Sequence, residues 1–234
     1  MTKKTTDCLF KINQSFTYKP LQAVHSMKIP LFQKGSYRIL AFVFDDYETL
    51  DLHGPIEMLG HMPRAELRIV GKSDVIRSYQ DTQLLTDNLI TQTYDCDLFI
   101  IPGGIGTRQL IHDITLSNWL TAQVLRSKQV FTICTGSALL AMTSLLNHHK
   151  ATTNKMAFQW VTSLNKDVFW QPKARWVLDN KFLTASGVSA GIDAALFWVS
   201  QLHGEDEAQR IAHLAEYQWS TDSTEDPFAV FCHK

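Results

Sequence analysis

The chain has 234 residues, 45% of them hydrophobic and 19% charged, with a formal net charge of -1 at pH 7. That length supports one core of generous size without staples, and the composition excludes disorder for most of it. Near-neutral charge without a long basic run argues against nucleic acid as the main partner. No stretch of 18 uninterrupted apolar residues offers a membrane span.

Residues 1–36 carry six lysines (Lys3, Lys4, Lys11, Lys19, Lys28, Lys34) against Asp7, a local net of +5, and the remainder nets -6. The leader lacks the apolar stretch and cleavage site of a signal peptide and the arginines of a mitochondrial presequence. It reads as a basic surface extension held to the body by Phe10, Phe16, Leu31 and Phe32. From residue 37 the pattern turns regular. Arg38–Phe44 is an apolar run suited to a strand buried on both faces. Pro55 is read as a first-turn residue opening a helix through Ile56, Met58 and Leu59. Strands are expected at Glu66–Gly71, at Asp97–Ile101 before Pro102-Gly103-Gly104, and at Val130–Ile133 before Cys134. A helix with Leu116, Trp119, Leu120 and Leu125 lies between the last two, and another follows Cys134 through Leu146. A hairpin around Asp179-Asn180 and helices over Ser189–Leu202 and Glu205–Trp219 complete the domain, 37–220, leaving a tail at 221–234. Strands alternating with helices imply a mostly parallel sheet with helices on both faces, and such sheets place their sites at the carboxyl ends of strands.

Three loops at those ends carry residue types with chemistry. Cys134 in Ile133-Cys134-Thr135-Gly136-Ser137 joins a strand to a helix, where unpaired N–H groups favour thiolate and a developing negative charge. A lone cysteine is as often a small buried hydrophobe, and the local pattern leaves both open. Pro102-Gly103-Gly104-Ile105-Gly106 is a tight turn or half of an oxyanion cradle; it lacks the lysine and hydroxyl of a nucleotide P-loop. Asp51, in Leu50-Asp51-Leu52-His53-Gly54-Pro55, is a partly buried acid/base or a cap for the helix at Pro55. The four cysteines (Cys8, Cys96, Cys134, Cys232) show no CxxC spacing, so reduced thiols in a cytoplasmic protein are expected, with no zinc. No metal constellation and no dinucleotide fingerprint stands out, so no cofactor is expected.

LDLHGP, LFIIPGGIG, ICTGSALLA, KATTN, FLTASGVSAGIDAAL and AEYQW, in this order, resemble the ThiJ/PfpI family, relatives of the class I glutamine amidotransferases. The likeness spans about residues 37–219 and is closest to the isonitrile hydratase branch and to AraC-linked sensor domains. It implies a flavodoxin-like three-layer α/β sandwich and, as in other family members, a homodimer. It places Cys134 on the nucleophile, Asp51 on its acidic partner, and Gly104 and Thr135 on the amides that cradle charge. Gly103, His53, Asn154, Gly187 and Val188 fall around the pocket, with Ser186 and Ser189 in the same loop, and Asp193 on a position that caps or tethers the penultimate helix.

Two departures qualify it. Thr135 stands where the protease-like members have histidine, which disfavours histidine-assisted peptidase chemistry. Asn154 replaces the histidine of the branch's ATTHW segment, while His148 and His149 read as an exposed helix-end pair. The leading expectation is a cysteine-dependent hydratase that turns a small isonitrile into an N-substituted formamide. The alternatives are glyoxalase or deglycase chemistry on reactive aldehydes, or a non-enzymatic ligand- or redox-sensing domain. The regulator version carries a helix-turn-helix after the sensor, for which the segment after Trp219 is too short.

Overall fold

The computed structural model describes residues 32–232, so Cys8 and the leader up to Leu31 lie outside the described residues. Its first third contains β1 (Tyr37–Val43), α1 (Thr49–Gly60), β2 (Ala65–Gly71), β3 (Val75–Arg77), β4 (Gln83–Leu85) and β5 (Asn88–Leu89). There follow β6 (Cys96–Ile101), α2 (Thr107–Leu110), α3 (Ile114–Arg126), β7 (Ser127–Ile133) and α4 (Gly136–Ala141). The last third holds β8 (Lys150–Ala151), α5 (Phe158–Leu164), β9 (Phe169–Trp170), β10 (Trp176–Asp179), β11 (Phe182–Ala185), α6 (Ser189–His203) and α7 (Glu205–Leu214).

Seven strands form one sheet in the order β10-β11-β7-β6-β1-β2-β5, parallel except for the β10–β11 hairpin. The continuous apolar runs predicted as central strands are those buried on both faces, β6 throughout and β1 from Ile39 onward. Register sorts the two faces. Leu40 aligns with Phe99, and Phe99 with Val130. On that face Trp119 of α3 packs against Phe42 and Phe99 at ring separations of 5.4 and 6.0 Å. The opposite face carries Ile133, against which α6 comes close at Gly191.

Three expected boundaries are corrected. Helix α1 begins at Thr49, six residues before Pro55, so Pro55 sits inside it and leaves the Asp51 carbonyl without its helical N–H partner. Packing outweighs this, because Leu52, Gly54 and Pro55 are buried against the body. Helix α4 stops at Ala141 instead of continuing through Leu146; Ser144 takes φ +60 in the turn that follows. Helix α7 stops at Leu214, where Glu216 takes φ +49 and sends the chain back across α6.

The strand order reverses between β1 and β6, and their carboxyl ends lie beside that of β7, a place where open α/β sheets hold ligands. The loops there are tied to one another. Tyr47 bridges Gly104, and the Glu48 N–H donates to the Gly103 carbonyl at 2.9 Å.

Candidate active site

Between the end of β7 and the start of α4 the chain turns within two residues, which forces Cys134 to φ +56, a conformation L-residues avoid. The turn is tight because Gly136 lies against β6; a Cβ there would stand 2.2 Å from the Ile101 carbonyl oxygen. The Cys134 N–H donates to the Ala185 carbonyl at 3.2 Å. Its own carbonyl accepts from Ser137 Oγ and Thr153 Oγ1, both at 3.0 Å. With its backbone held from β11, α4 and the loop after β8, the residue is 7% exposed.

Asp51 lies in the first turn of α1 and is fully buried. Its Oδ2 accepts the Gly103 N–H at 3.1 Å, whereas Oδ1 has no N–H or O–H partner. The Cys134 thiol is its neighbour. Burial pushes the carboxyl up to about 7, despite the thiol hydrogen bond and the Gly103 and Val188 amides; the charge of Glu48 adds to the rise. Burial likewise holds the Cys134 thiol well above its ordinary value, the Asp51 charge adds to that, and the Thr135 N–H opposes it. This corrects the expectation that the helix terminus favours free thiolate: desolvation outweighs the dipole of a six-residue helix. Thiol and carboxyl therefore form one coupled pair.

The glycine loop stands directly over this pair. A Cβ on Gly103 would lie 2.5 Å from the Thr135 nitrogen and 2.9 Å from Asp51 Oδ2, and Gly104 adopts φ +138. The Gly104 N–H donates to Thr135 Oγ1 at 3.0 Å, while Thr107 Oγ1 donates to the same oxygen at 3.1 Å.

The predicted pocket residues divide. Asn154, Ser186, Gly187 and Val188 line one cavity of about 240 Å³. There a Cβ on Gly187 would meet Asn154 Nδ2 at 2.6 Å, and Asn154 Oδ1 accepts the Ala157 N–H at 3.0 Å. Val188 is strained at φ +29, and its N–H faces Asp51. His53 sits on α1 with Nδ1 2.9 Å from the Thr49 carbonyl and its ring stacked on Tyr47. His148 and His149 occupy a turn, not a helix end; His149 packs edge-on against Phe182 and pairs with Asp179 at 3.4 Å.

The network that frames the site from behind was legible in the sequence only in part. Asp193, expected to tether its helix, accepts from Arg175 Nε at 2.8 Å and Nη2 at 2.5 Å through Oδ2. Its Oδ1 accepts from the Tyr217 hydroxyl and the Ser220 N–H, each at 3.0 Å. Arg175 has no motif signal of its own; only its fixed partner, in AGID, could have pointed to it. Removing Asp193 leaves the buried Arg175 with only Asp226, at 3.7 Å, so Asp193→Ala is expected to cost about 3 kcal/mol in urea unfolding. A loss under about 1 kcal/mol would show that the pair is dispensable.

Among the described residues no group of three or more His, Cys, Asp or Glu could hold a metal, and no helix is long and apolar enough to cross a membrane. Residues 37–201 match the model of the DJ-1/PfpI family. The chain is 30% identical over 176 residues to a Pseudomonas putida protein named isonitrile hydratase, covering 75% of this chain and 76% of that protein. It is similar to the crystal structure of a ThiJ/PfpI family protein from Pseudomonas syringae, at 26% identity and a TM-score of 0.73, over 85% of this chain and 84% of that one. An AraC family transcriptional regulator from Pseudomonas putida shares the fold at 15% identity and a TM-score of 0.68, over 76% of this chain and 99% of that one.

Proposed function

The chain belongs to the DJ-1/PfpI family, and on that premise we propose that it is a cysteine-dependent hydratase converting small isonitriles to N-substituted formamides. The reading is carried by a fully buried carboxyl beside an elbow thiol, with threonine where a histidine would serve as base. The identity to a protein named isonitrile hydratase supports it.

In the working state the pair holds one negative charge, on Asp51, and the thiol is protonated. Asp51 takes the thiol proton as sulfur bonds to the terminal carbon of the isonitrile, then gives it to that carbon. The product is a thioformimidate, R–N=CH–S–Cys134. Water adds to its carbon, the nitrogen gains a proton, and the tetrahedral carbon expels the sulfur as R–NH–CHO leaves. Cys134 regains its proton, so one isonitrile and one water give one formamide without metal or redox cofactor. The Thr135 N–H faces the sulfur. A χ1 turn of the Thr135 side chain, which carries Oγ1 away, frees the Gly104 N–H to hold the added oxygen. Gly103 holds the acid, Gly187 and Val188 with Asn154 form the pocket wall, and His53 flanks the loop before it. We further infer a homodimer acting in the cytoplasm, as the family resemblance suggests.

The test is formamide production from a panel of simple alkyl isonitriles by the wild-type protein. Turnover supports the reading, and inactivity across the panel overturns it. Consumption of methylglyoxal instead would establish aldehyde chemistry, and peroxide conversion of Cys134 to a sulfinate without either turnover a sensor.

A further inference from the structure

The residues after α7 run back over the body. Tyr217 and Ser220 are fastened to Asp193. The Arg175 N–H donates to the Ser223 carbonyl at 2.8 Å, and the Asp226 N–H to the Lys173 carbonyl at 2.7 Å. The Arg175 guanidinium also pairs with Asp226 at 3.7 Å. Further on, Gln159 Nε2 donates to the Cys232 carbonyl at 2.8 Å, and the Cys232 thiol to the Pro172 carbonyl at 3.4 Å. Between these anchors a 3-10 turn at Ala229–Phe231 presents Phe228 and Phe231, stacked at 6.5 Å, to the cavity that Asn154 and Val188 line.

Three of the residues lining that cavity are tied to the reactive pair directly or through the residue before them. Val188 turns its N–H to Asp51. Asn154 follows Thr153, whose hydroxyl holds the Cys134 carbonyl, and Ser186 follows Ala185, whose carbonyl holds the Cys134 N–H. The far side is apolar, with Phe228 and Phe231 joined by Met156, which is 70% exposed at the rim. At about 240 Å³ the space is below the roughly 300 Å³ at which sites for drug-sized ligands begin. It fits a single ring or a short branched chain.

We propose that the C-terminal segment 220–232 is the specificity wall of the active site, with Phe228 and Phe231 receiving one aromatic or branched aliphatic group on the substrate while its electrophilic carbon meets Cys134. This rests on Cys134 being the reactive group proposed above, and it names the substrate class: electrophiles bearing a compact apolar substituent. The anchors give the wall its place. Two buried acids, Asp193 and Asp226, bind the segment to Arg175 although it lies beyond α7.

The test reads alkylation of Cys134 by peptide mass mapping, using iodoacetamide and N-benzyl iodoacetamide, each rate corrected for its reaction with glutathione. The wild type is expected to favour the benzyl reagent about fivefold or more, the gain from stacking one ring against the aromatic pair. Phe228→Ala, at a half-exposed position, is expected to erase the preference, read as the ratio of the two corrected rates. Phe228→Trp, which fills the cavity, is expected to reverse it. No preference in the wild type, or one unmoved by both substitutions, overturns the proposal. A preference that persists in a protein without isonitrile turnover overturns the assigned reaction and leaves the wall standing.

Discussion

Cys134→Ser is expected to lower isonitrile turnover by about four orders of magnitude with the fold intact. The expectation follows from two features of the elbow. A serine hydroxyl ionises far above a thiol, and Asp51, at about 7, is too weak a base to remove its proton. The site also has no second nucleophile to take over, and deleting a covalent nucleophile elsewhere has cost about 10⁶ in kcat. The backbone of residue 134 is held by hydrogen bonds from its N–H and carbonyl, none of which needs sulfur. Thermal unfolding is therefore expected to shift little. The readout is formamide appearance at saturating substrate, with the unfolding midpoint measured alongside. Retention of more than a tenth of the activity would remove Cys134 from the reaction.

Asp51→Asn separates proton transfer from thiol ionisation, because the two are expected to move in opposite directions. The carboxylate raises the thiol, so its removal lowers the Cys134 pKa and increases the thiolate present at pH 8. Turnover nevertheless falls by about 10²–10⁴, since asparagine can neither accept the thiol proton nor deliver it to carbon. In the wild type kcat/KM is expected to drop about tenfold per pH unit below about 7, where Asp51 becomes protonated, and the variant loses that inflection. Stability moves the other way. The folded carboxyl ionises near 7 and the unfolded one near 3.8, so the native state loses stability as pH rises between those values and none further above. The asparagine variant is expected to match the wild type below pH 4 and to exceed it by about 4 kcal/mol above pH 7. Chemical unfolding at pH 4 and pH 8 checks this. Equal stabilities at pH 8 would show that burial does not load the carboxyl.

The sequence made the central strands legible because a strand covered on both faces has no polar alternation to confuse with anything else: RILAFVF and DLFII carry the signal themselves. Ends set by packing or by single backbone conformations were not legible. Pro55 looks like a helix start, yet α1 begins earlier because Leu52 and Gly54 pack into the body. ALLAMTSLL keeps an apolar helical pattern past Ala141, yet the chain turns at Ser144. At the site, Cys134, Asp51 and the glycines announced themselves by loop position, but the state of the thiol did not. It depends on burial, which residue order does not encode. The two phenylalanines of the C-terminal segment lie far from any motif and reach the pocket only through the folded chain, as Arg175 reaches the acids that hold that segment.

Gly54 and Gly191 have a further consequence. A Cβ on the first would stand 2.7 Å from the Ile192 side chain of α6, and one on the second 3.2 Å from Pro55 Cγ of α1, so the two glycines let α1 and α6 pack closely. Asp51 belongs to one helix and Val188 opens the other. The dryness around the carboxyl, and with it the acidity at which the site changes hands from acid to base, is thus set by the separation of two helices. One methyl group at either glycine would retune the chemistry from outside, without exchanging any atom that meets the substrate.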